Sequence, residues 1–124
     1  MPIYRDTDAE PHRLHGATFH SFAAPARGSA ELCAWRLEVA GGTAGAAHRV
    51  SREEVILLLA GTLRVTLDGV SADLAAGDVV VVPVGSELCV DNRSGERADA
   101  WVTTSVGLRA TMADGSTIAP PWVR

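Results

Sequence analysis

The sequence predicts an all-β fold. Two segments alternate between apolar and polar residues, "ELCAWRLEV" at 31–39 and "TLRVTLDG" at 62–69, as strands with one buried face do. Short turn signals separate the apolar segments, among them "AGG", "AAGD", "PVG" and "NRSGE". No segment of ten or more residues carries a helical period. Several short strands at this spacing indicate a β-sandwich or barrel.

Each strand has a predicted orientation. In the first segment the interior face carries Cys33, Trp35, Leu37 and Val39, and in the second it carries Leu63, Val65 and Leu67. The runs "EEVILLLAG" and "DVVVVPV" are apolar at consecutive positions, which is typical of strands buried on both faces. Residues 1–15 and 119–124 are expected to lie as arms across the outside or the mouth of the barrel.

Length and composition limit the function. With 124 residues, the chain is expected to form a single domain spanning 1–124. The net charge of −4 and the lack of a basic run argue against a nucleic-acid partner. All 11 basic residues are arginine, which excludes a lysine base or Schiff base. No apolar run is long enough to span a membrane, and we expect a cytoplasmic protein with Cys33 and Cys89 reduced.

A first spaced pattern runs from 42 to 61. Gly42 is followed after five residues by His48, and Glu54 precedes Gly61 by six residues. Val50 stands two positions after the histidine.

A second pattern runs from 77 to 92. Gly77 is followed after five residues by Pro83, with Gly85 two positions later. Leu88 and Asn92 complete the pattern, and the asparagine is expected to cap a turn.

Together the two patterns resemble the paired motifs of the cupin superfamily, in a small single-domain form. This resemblance implies a jelly-roll β-barrel of two antiparallel sheets enclosing a pocket. It also implies a metal held by four side chains, of which this chain keeps His48 and Glu54 and has Val50 and Leu88 at the other two positions. Since metal sites of this kind need three or more protein ligands, we expect no metal and no other cofactor.

Other histidines offer an alternative. His12, His15 and His20 lie upstream, and an N-terminal arm could bring one of them to His48 and Glu54. The chain would then be a metal-dependent cupin enzyme.

The remaining pair suggests acid–base chemistry. His48 and Glu54 end two consecutive strands and are expected to point into the barrel as directly opposed, hydrogen-bonded side chains. We expect the two side chains to be within hydrogen-bond reach of each other, directly or through one water. Such a pair suits general acid–base catalysis near neutral pH, and it is equally consistent with a remnant that does nothing. The expected pocket residues around it are Trp35, Val50, Ile56 and Leu88.

Two function classes follow. The chain is either a metal-independent isomerase, cyclase or lyase using His48 and Glu54, or a non-catalytic protein that binds or senses a small molecule. In both cases the partner is a small organic molecule. We also expect a homodimer, because Val55, Leu57 and Leu59 would form an outward apolar patch. The alternative is that an N-terminal arm of the same chain covers this patch.

Overall fold

The computed structural model describes residues 3–124 and confirms the all-β prediction. Within residues 3–124, twelve strands form two antiparallel six-stranded sheets. The strands are β1 (Glu10–Leu14), β2 (Ala17–Ala23), β3 (Leu32–Val39), β4 (His48–Val50), β5 (Glu54–Ala60), β6 (Thr62–Leu67), β7 (Val70–Ala75), β8 (Val79–Val82), β9 (Glu87–Asp91), β10 (Ala98–Ser105), β11 (Ala110–Met112) and β12 (Thr117–Ile118).

The strand order is that of a jelly roll. The first sheet has the order β1-β2-β3-β10-β5-β8 and the second has the order β12-β11-β4-β9-β6-β7. Consecutive strands therefore cross between sheets several times, and the crossing from β4 to β5 lies inside the first sequence pattern. The core fills the space between the two sheets.

The predicted interior faces are buried. In β3 every second residue is buried, from Cys33 at 0% exposure to Leu37 at 7%. In β6 Leu63 and Val65 are buried. Because side chains alternate across a strand, these residues confirm the register that the sequence pattern predicts.

The continuous apolar runs differ from the prediction. Only one face of β5 and β8 is buried, and the outer face of this sheet edge carries exposed side chains. Val79 and Val81 are 55% and 53% exposed, and Val55 is 38% exposed. The prediction of strands buried on both faces is therefore wrong for residues 3–124, because nothing among them covers the outer face of β5 and β8.

The chain ends pack onto the barrel. Of the expected N-terminal arm, residues 1 and 2 lie outside the described residues, and β1 adds a strand to the first sheet beside β2. Residues Pro121–Val123 form a 3-10 turn in which Trp122 and Val123 are buried. Cys33 and Cys89 are free thiols. Within residues 3–124, no helix has the length and apolarity needed to cross a membrane.

Candidate functional site

The loop before β4 is fixed by a close backbone approach. A side chain at Gly45 would overlap the carbonyl oxygen of Val90 on β9, so only glycine fits. The Gly45 N–H also donates a hydrogen bond of 2.7 Å to Oδ1 of Asp91. These contacts set the point at which the chain enters β4 and therefore the position of His48. The sequence patterns did not identify Gly45.

Asn92, the last residue of the second pattern, forms hydrogen bonds that hold the turn after β9. Its Nδ2 donates to the carbonyl oxygens of Val39 and Glu96, and its Oδ1 accepts from Ser94. The prediction that Asn92 caps a turn is therefore confirmed.

His48 lies on the second sheet. It is paired with Leu88 on β9 and with Met112 on β11. Its Nδ1 is 2.9 Å from the carbonyl oxygen of Ala46. A carbonyl only accepts, so Nδ1 carries the hydrogen, and in the neutral ring Nε2 is the acceptor. The half-buried imidazole therefore offers a base with a fixed tautomer.

Glu54 lies on the first sheet, where β5 runs between β10 and β8. It is paired with Thr104 and Val82, both buried. The side chain is only 5% exposed, and no described residue donates a hydrogen bond to its carboxyl group. Burial without a partner disfavours the charged form. Desolvation accordingly raises the pKa of Glu54 to about 7 from an ordinary 4.5.

The predicted direct contact between these two side chains is wrong. Strands β4 and β5 do not pair: they belong to facing sheets, so His48 and Glu54 approach the interior from opposite walls. Among the described residues the two form no hydrogen bond and no ion pair. The physical reason is the short turn at 51–53, which carries the chain from one sheet to the other rather than closing a hairpin.

Both walls enclose one cavity. Its volume is about 440 Å³, within the usual range for small-molecule sites. The residues singled out from the sequence all line it: Trp35, His48, Val50, Glu54, Ile56 and Leu88. Among the lining residues Leu14 and Ile118 are exposed, whereas Glu54 is buried.

Part of the cavity wall comes from the expected arms and from side chains that the sequence did not single out, Phe19 and Trp122 among them. Phe19 and Trp122 stack at 3.6 Å between ring centroids with an interplanar angle of 10°. Trp35 meets Trp122 edge-on at 6.4 Å. His15, at the tip of the β1–β2 hairpin, also lines the cavity. Trp122 follows two prolines near the end of the sequence, where no alternation indicates which way a side chain points.

The donor set does not fit a metal. Buried Val50 and Leu88 stand where the cupin resemblance implies ligands, and Leu88 is the direct strand partner of His48. His12 and His20 lie instead beside Glu10 and Glu38. Across residues 3–124, no three histidine, cysteine or acidic side chains come together as a metal site. An N-terminal histidine therefore does not complete a ligand set in this structure.

Solved structures with the same fold come from proteins of different activities. The polyketide cyclase RemF from Streptomyces resistomycificus has a TM-score of 0.77 at 17% identity, with 85% of this chain and 79% of that chain covered. An RmlC-like cupin from Shewanella frigidimarina has a TM-score of 0.71 at 21% identity, covering 82% and 87%. A sugar phosphate isomerase of the cupin superfamily from Silicibacter pomeroyi has a TM-score of 0.67 at 16% identity, covering 83% and 76%.

Sequence comparison identifies the family. A comparison with curated proteins found no match, but the cupin domain model matches residues 35–104, which is more than half of the chain. That span contains β3 to β10 nearly complete, and with them both spaced patterns and the walls that carry His48 and Glu54. The chain therefore belongs to the cupin family.

Proposed function

We propose that this cupin binds a small organic molecule in its barrel cavity and catalyses a metal-independent proton transfer on it. Isomerisation, cyclisation and lyase reactions all contain such a step. The observation that carries the proposal is the buried Glu54 carboxyl, which has no protein partner and a pKa raised to about 7 by burial. A general acid–base group works best when its pKa is near the working pH.

The two walls have complementary roles. Glu54, when protonated, donates its hydrogen to a carbonyl oxygen of the bound molecule. His48, with Nδ1–H held by Ala46, accepts a proton at Nε2 from the carbon beside that carbonyl. The C–H electron pair becomes the carbon–carbon double bond of an enol, and the carbonyl π pair takes the proton of Glu54. Because the side chains do not bond to each other, the substrate lies between them.

The alternative is a binding or sensing protein without catalysis. The mostly apolar wall favours it, since Val50 and Leu88 replace polar side chains and only a few lining groups can form hydrogen bonds. The polyketide cyclase among the structural neighbours is consistent with the catalytic proposal. At 17% identity, however, that likeness supports the fold alone.

Hydrogen exchange on a simple ketone distinguishes the catalytic proposal from binding without catalysis. Acetylnaphthalene is incubated with the protein in D₂O near pH 7, and loss of the methyl proton signal is followed by NMR. We expect the protein to accelerate exchange well above buffer, and Glu54→Gln to remove most of that acceleration. If wild-type protein binds the ketone but exchange stays at the buffer rate, the binding function replaces the catalytic one.

A further inference from the structure

The cavity contains one carboxyl group and no permanent positive charge. Its titratable lining residues are His15, His48 and Glu54, and no arginine is among the described residues that line it. The chain has no lysine. Arg49, next to His48, instead donates to the carbonyl oxygen of Gly85, which is not a lining residue. When Glu54 is ionised, the wall therefore provides no arginine or lysine to balance its charge.

The carboxyl group of Glu54 is open to the cavity. The residue is 5% exposed and lines the cavity, and its carboxyl group has no hydrogen-bond donor among the described residues. Within residues 3–124, the unpartnered side-chain polar atoms that are fully enclosed are Nε2 of His20 and Nε1 of Trp35. Neither carboxyl oxygen of Glu54 belongs to that group, so both oxygens keep accessible surface. A molecule bound in the cavity therefore reaches these oxygens.

The wall around this carboxyl group is mostly hydrocarbon. Ile56 follows on the same face of β5, and Val50 and Leu88 line the cavity from the facing sheet. Phe19 and Trp122 add aromatic rings to the wall, and aromatic rings attract cations. A metal ion needs several oxygen, nitrogen or sulfur ligands. An organic cation needs only one counter-ion, because the methyl and methylene groups around its nitrogen pack against hydrocarbon.

A bound cation also removes the penalty of burying a charged carboxylate. An ionised carboxylate without a partner is unfavourable in apolar surroundings, which is why burial raises the pKa of Glu54 to about 7. An opposite charge beside a carboxyl group favours its ionised form. Near pH 7 the empty cavity contains both forms of Glu54. A neutral ketone therefore binds the protonated form, and a cation binds the ionised form.

We propose that the cavity is also a binding site for an organic cation, an alkylammonium group attached to a small apolar body. The ammonium group lies against the Glu54 carboxylate, and the apolar body lies against the aliphatic and aromatic wall. This ligand class goes beyond the proposed proton transfer and does not depend on it. A bound cation holds Glu54 ionised and occupies the place of the ketone, so it inhibits that reaction.

Two molecules of the same shape test the site. Phenyltrimethylammonium and tert-butylbenzene differ only in a charged nitrogen in place of a carbon. Dissociation constants are measured by tryptophan fluorescence at about pH 8, where most of Glu54 is ionised. We expect Glu54→Gln to weaken ammonium binding about thirtyfold or more, as for loss of one partner of a buried charge pair, with tert-butylbenzene affinity nearly unchanged. Equal ammonium affinity in wild type and Glu54→Gln overturns the proposal.

Two further variants control this result. Glu53→Gln removes an exposed carboxyl group next to Glu54, and we expect it to bind both molecules as wild type does. An equal loss of ammonium affinity in Glu53→Gln overturns the assignment to the cavity. If Glu54→Gln does not fold, Glu54→Leu removes the charge and leaves no buried polar group. We expect the same selective loss in this variant.

A wild-type measurement locates the cation without any variant. Nuclear Overhauser effects are recorded between the N-methyl protons of phenyltrimethylammonium and the methyl groups of the protein. We expect contacts with Ile56, which is buried beside Glu54 on the inner face of β5. Contacts with exposed Val79 or Val81 instead overturn the cavity site. These are binding measurements, so lack of ketone exchange with this selectivity intact overturns only the proposed catalysis.

Discussion

The two faces of strand β5 carry similarly apolar side chains but lie in opposite surroundings. The inner face places Glu54 among buried residues, with Ile56 and Leu58 at 2% and 0% exposure. The outer face leaves Val55 and Leu59 at 38% and 47% exposure. The alternation of side chains along β5 therefore buries the carboxyl group of Glu54 on the inner face and leaves apolar side chains exposed on the outer face. What differs is burial, and burial is what raises the pKa of Glu54.

Two adjacent glutamates sharpen this comparison. Glu53 is exposed and immediately precedes β5, whereas Glu54 is its buried first residue. The backbone carbonyl of Glu53 accepts a 2.8 Å hydrogen bond from Thr104 Oγ1, which secures the start of the strand. This bond involves no carboxyl group, so Glu53→Gln leaves it in place. The Glu53 variant is therefore a matched control for changes at Glu54.

The largest effect is expected on proton transfer. Glu54→Gln keeps the size of the side chain and removes the transferable proton, and a positioned acid contributes about 10²- to 10⁴-fold to such a rate. We expect ketone exchange to slow by about 10²-fold or more in this variant and to stay at the wild-type rate in Glu53→Gln. Equal exchange rates in wild type and Glu54→Gln would show that Glu54 is not the acid.

The next effect is on stability as a function of pH. Below pH 4.5 the Glu54 carboxyl is protonated in the folded and the unfolded chain. Its burial then does not lower the free energy of unfolding, because no charge is buried. Between pH 4.5 and about 7 only the unfolded chain gives up this proton readily, and stability falls as pH rises. Above that window the full loss is about 3 kcal/mol, since each pKa unit corresponds to about 1.4 kcal/mol.

Urea unfolding of three proteins measures this loss. We expect Glu54→Gln to gain about 3 kcal/mol relative to wild type between about pH 4.5 and pH 8, because glutamine cannot ionise. Glu53→Gln should follow the wild-type curve. A pH-independent difference between Glu54→Gln and wild type would mean that the buried carboxyl does not hold its proton.

The sequence predicted much of this architecture. The alternation in β3 and β6 and the spacing of the two glycine-containing patterns gave the fold, the cavity and six of its lining residues. The relation of His48 to Glu54 was missed because spacing along the chain does not reveal that residues 51–53 cross between sheets. Trp122 was missed because it sits in a turn, where side-chain direction depends on packing rather than on a period, and of the three upstream histidines the spacing could not indicate that His15 is the one that lines the cavity.

Replacing His48, on the opposite wall of the cavity, is expected to slow ketone exchange less than replacing Glu54. His48→Gln retains a polar side chain of similar length and removes the imidazole base. Because His48 is half-buried whereas Glu54 is buried, water can replace part of its role. We therefore expect a loss of exchange rate below about 10²-fold, the lower end of the range for a positioned base, with little change in ketone affinity. A loss larger than that of Glu54→Gln would place the main catalytic group on the second sheet instead.

Substitutions on the outer face of β5 and β8 are expected to have the smallest effect on the cavity. We propose that a second copy of the chain covers the exposed side chains of β5 and β8, since a symmetric pair is the commonest oligomer. Sedimentation should then give twice the chain mass for wild type. Val81→Glu should give a monomer with ketone affinity nearly unchanged. Val70→Glu, at a 74% exposed position on the other sheet, should remain dimeric, and a monomeric wild type would contradict the proposal.

The most direct test is the titration of Glu54 itself. The protein is labelled with ¹³C at the glutamate carboxyl carbons, and the Glu54 resonance is assigned by its absence from Glu54→Gln. Its chemical shift is then followed from acid to mildly basic pH. We expect a midpoint at about 7, as burial without a hydrogen-bond partner requires. A midpoint near the ordinary value of 4.5 would show that the carboxyl is solvated or paired, and it would contradict the assignment of Glu54 as the acid of the cavity.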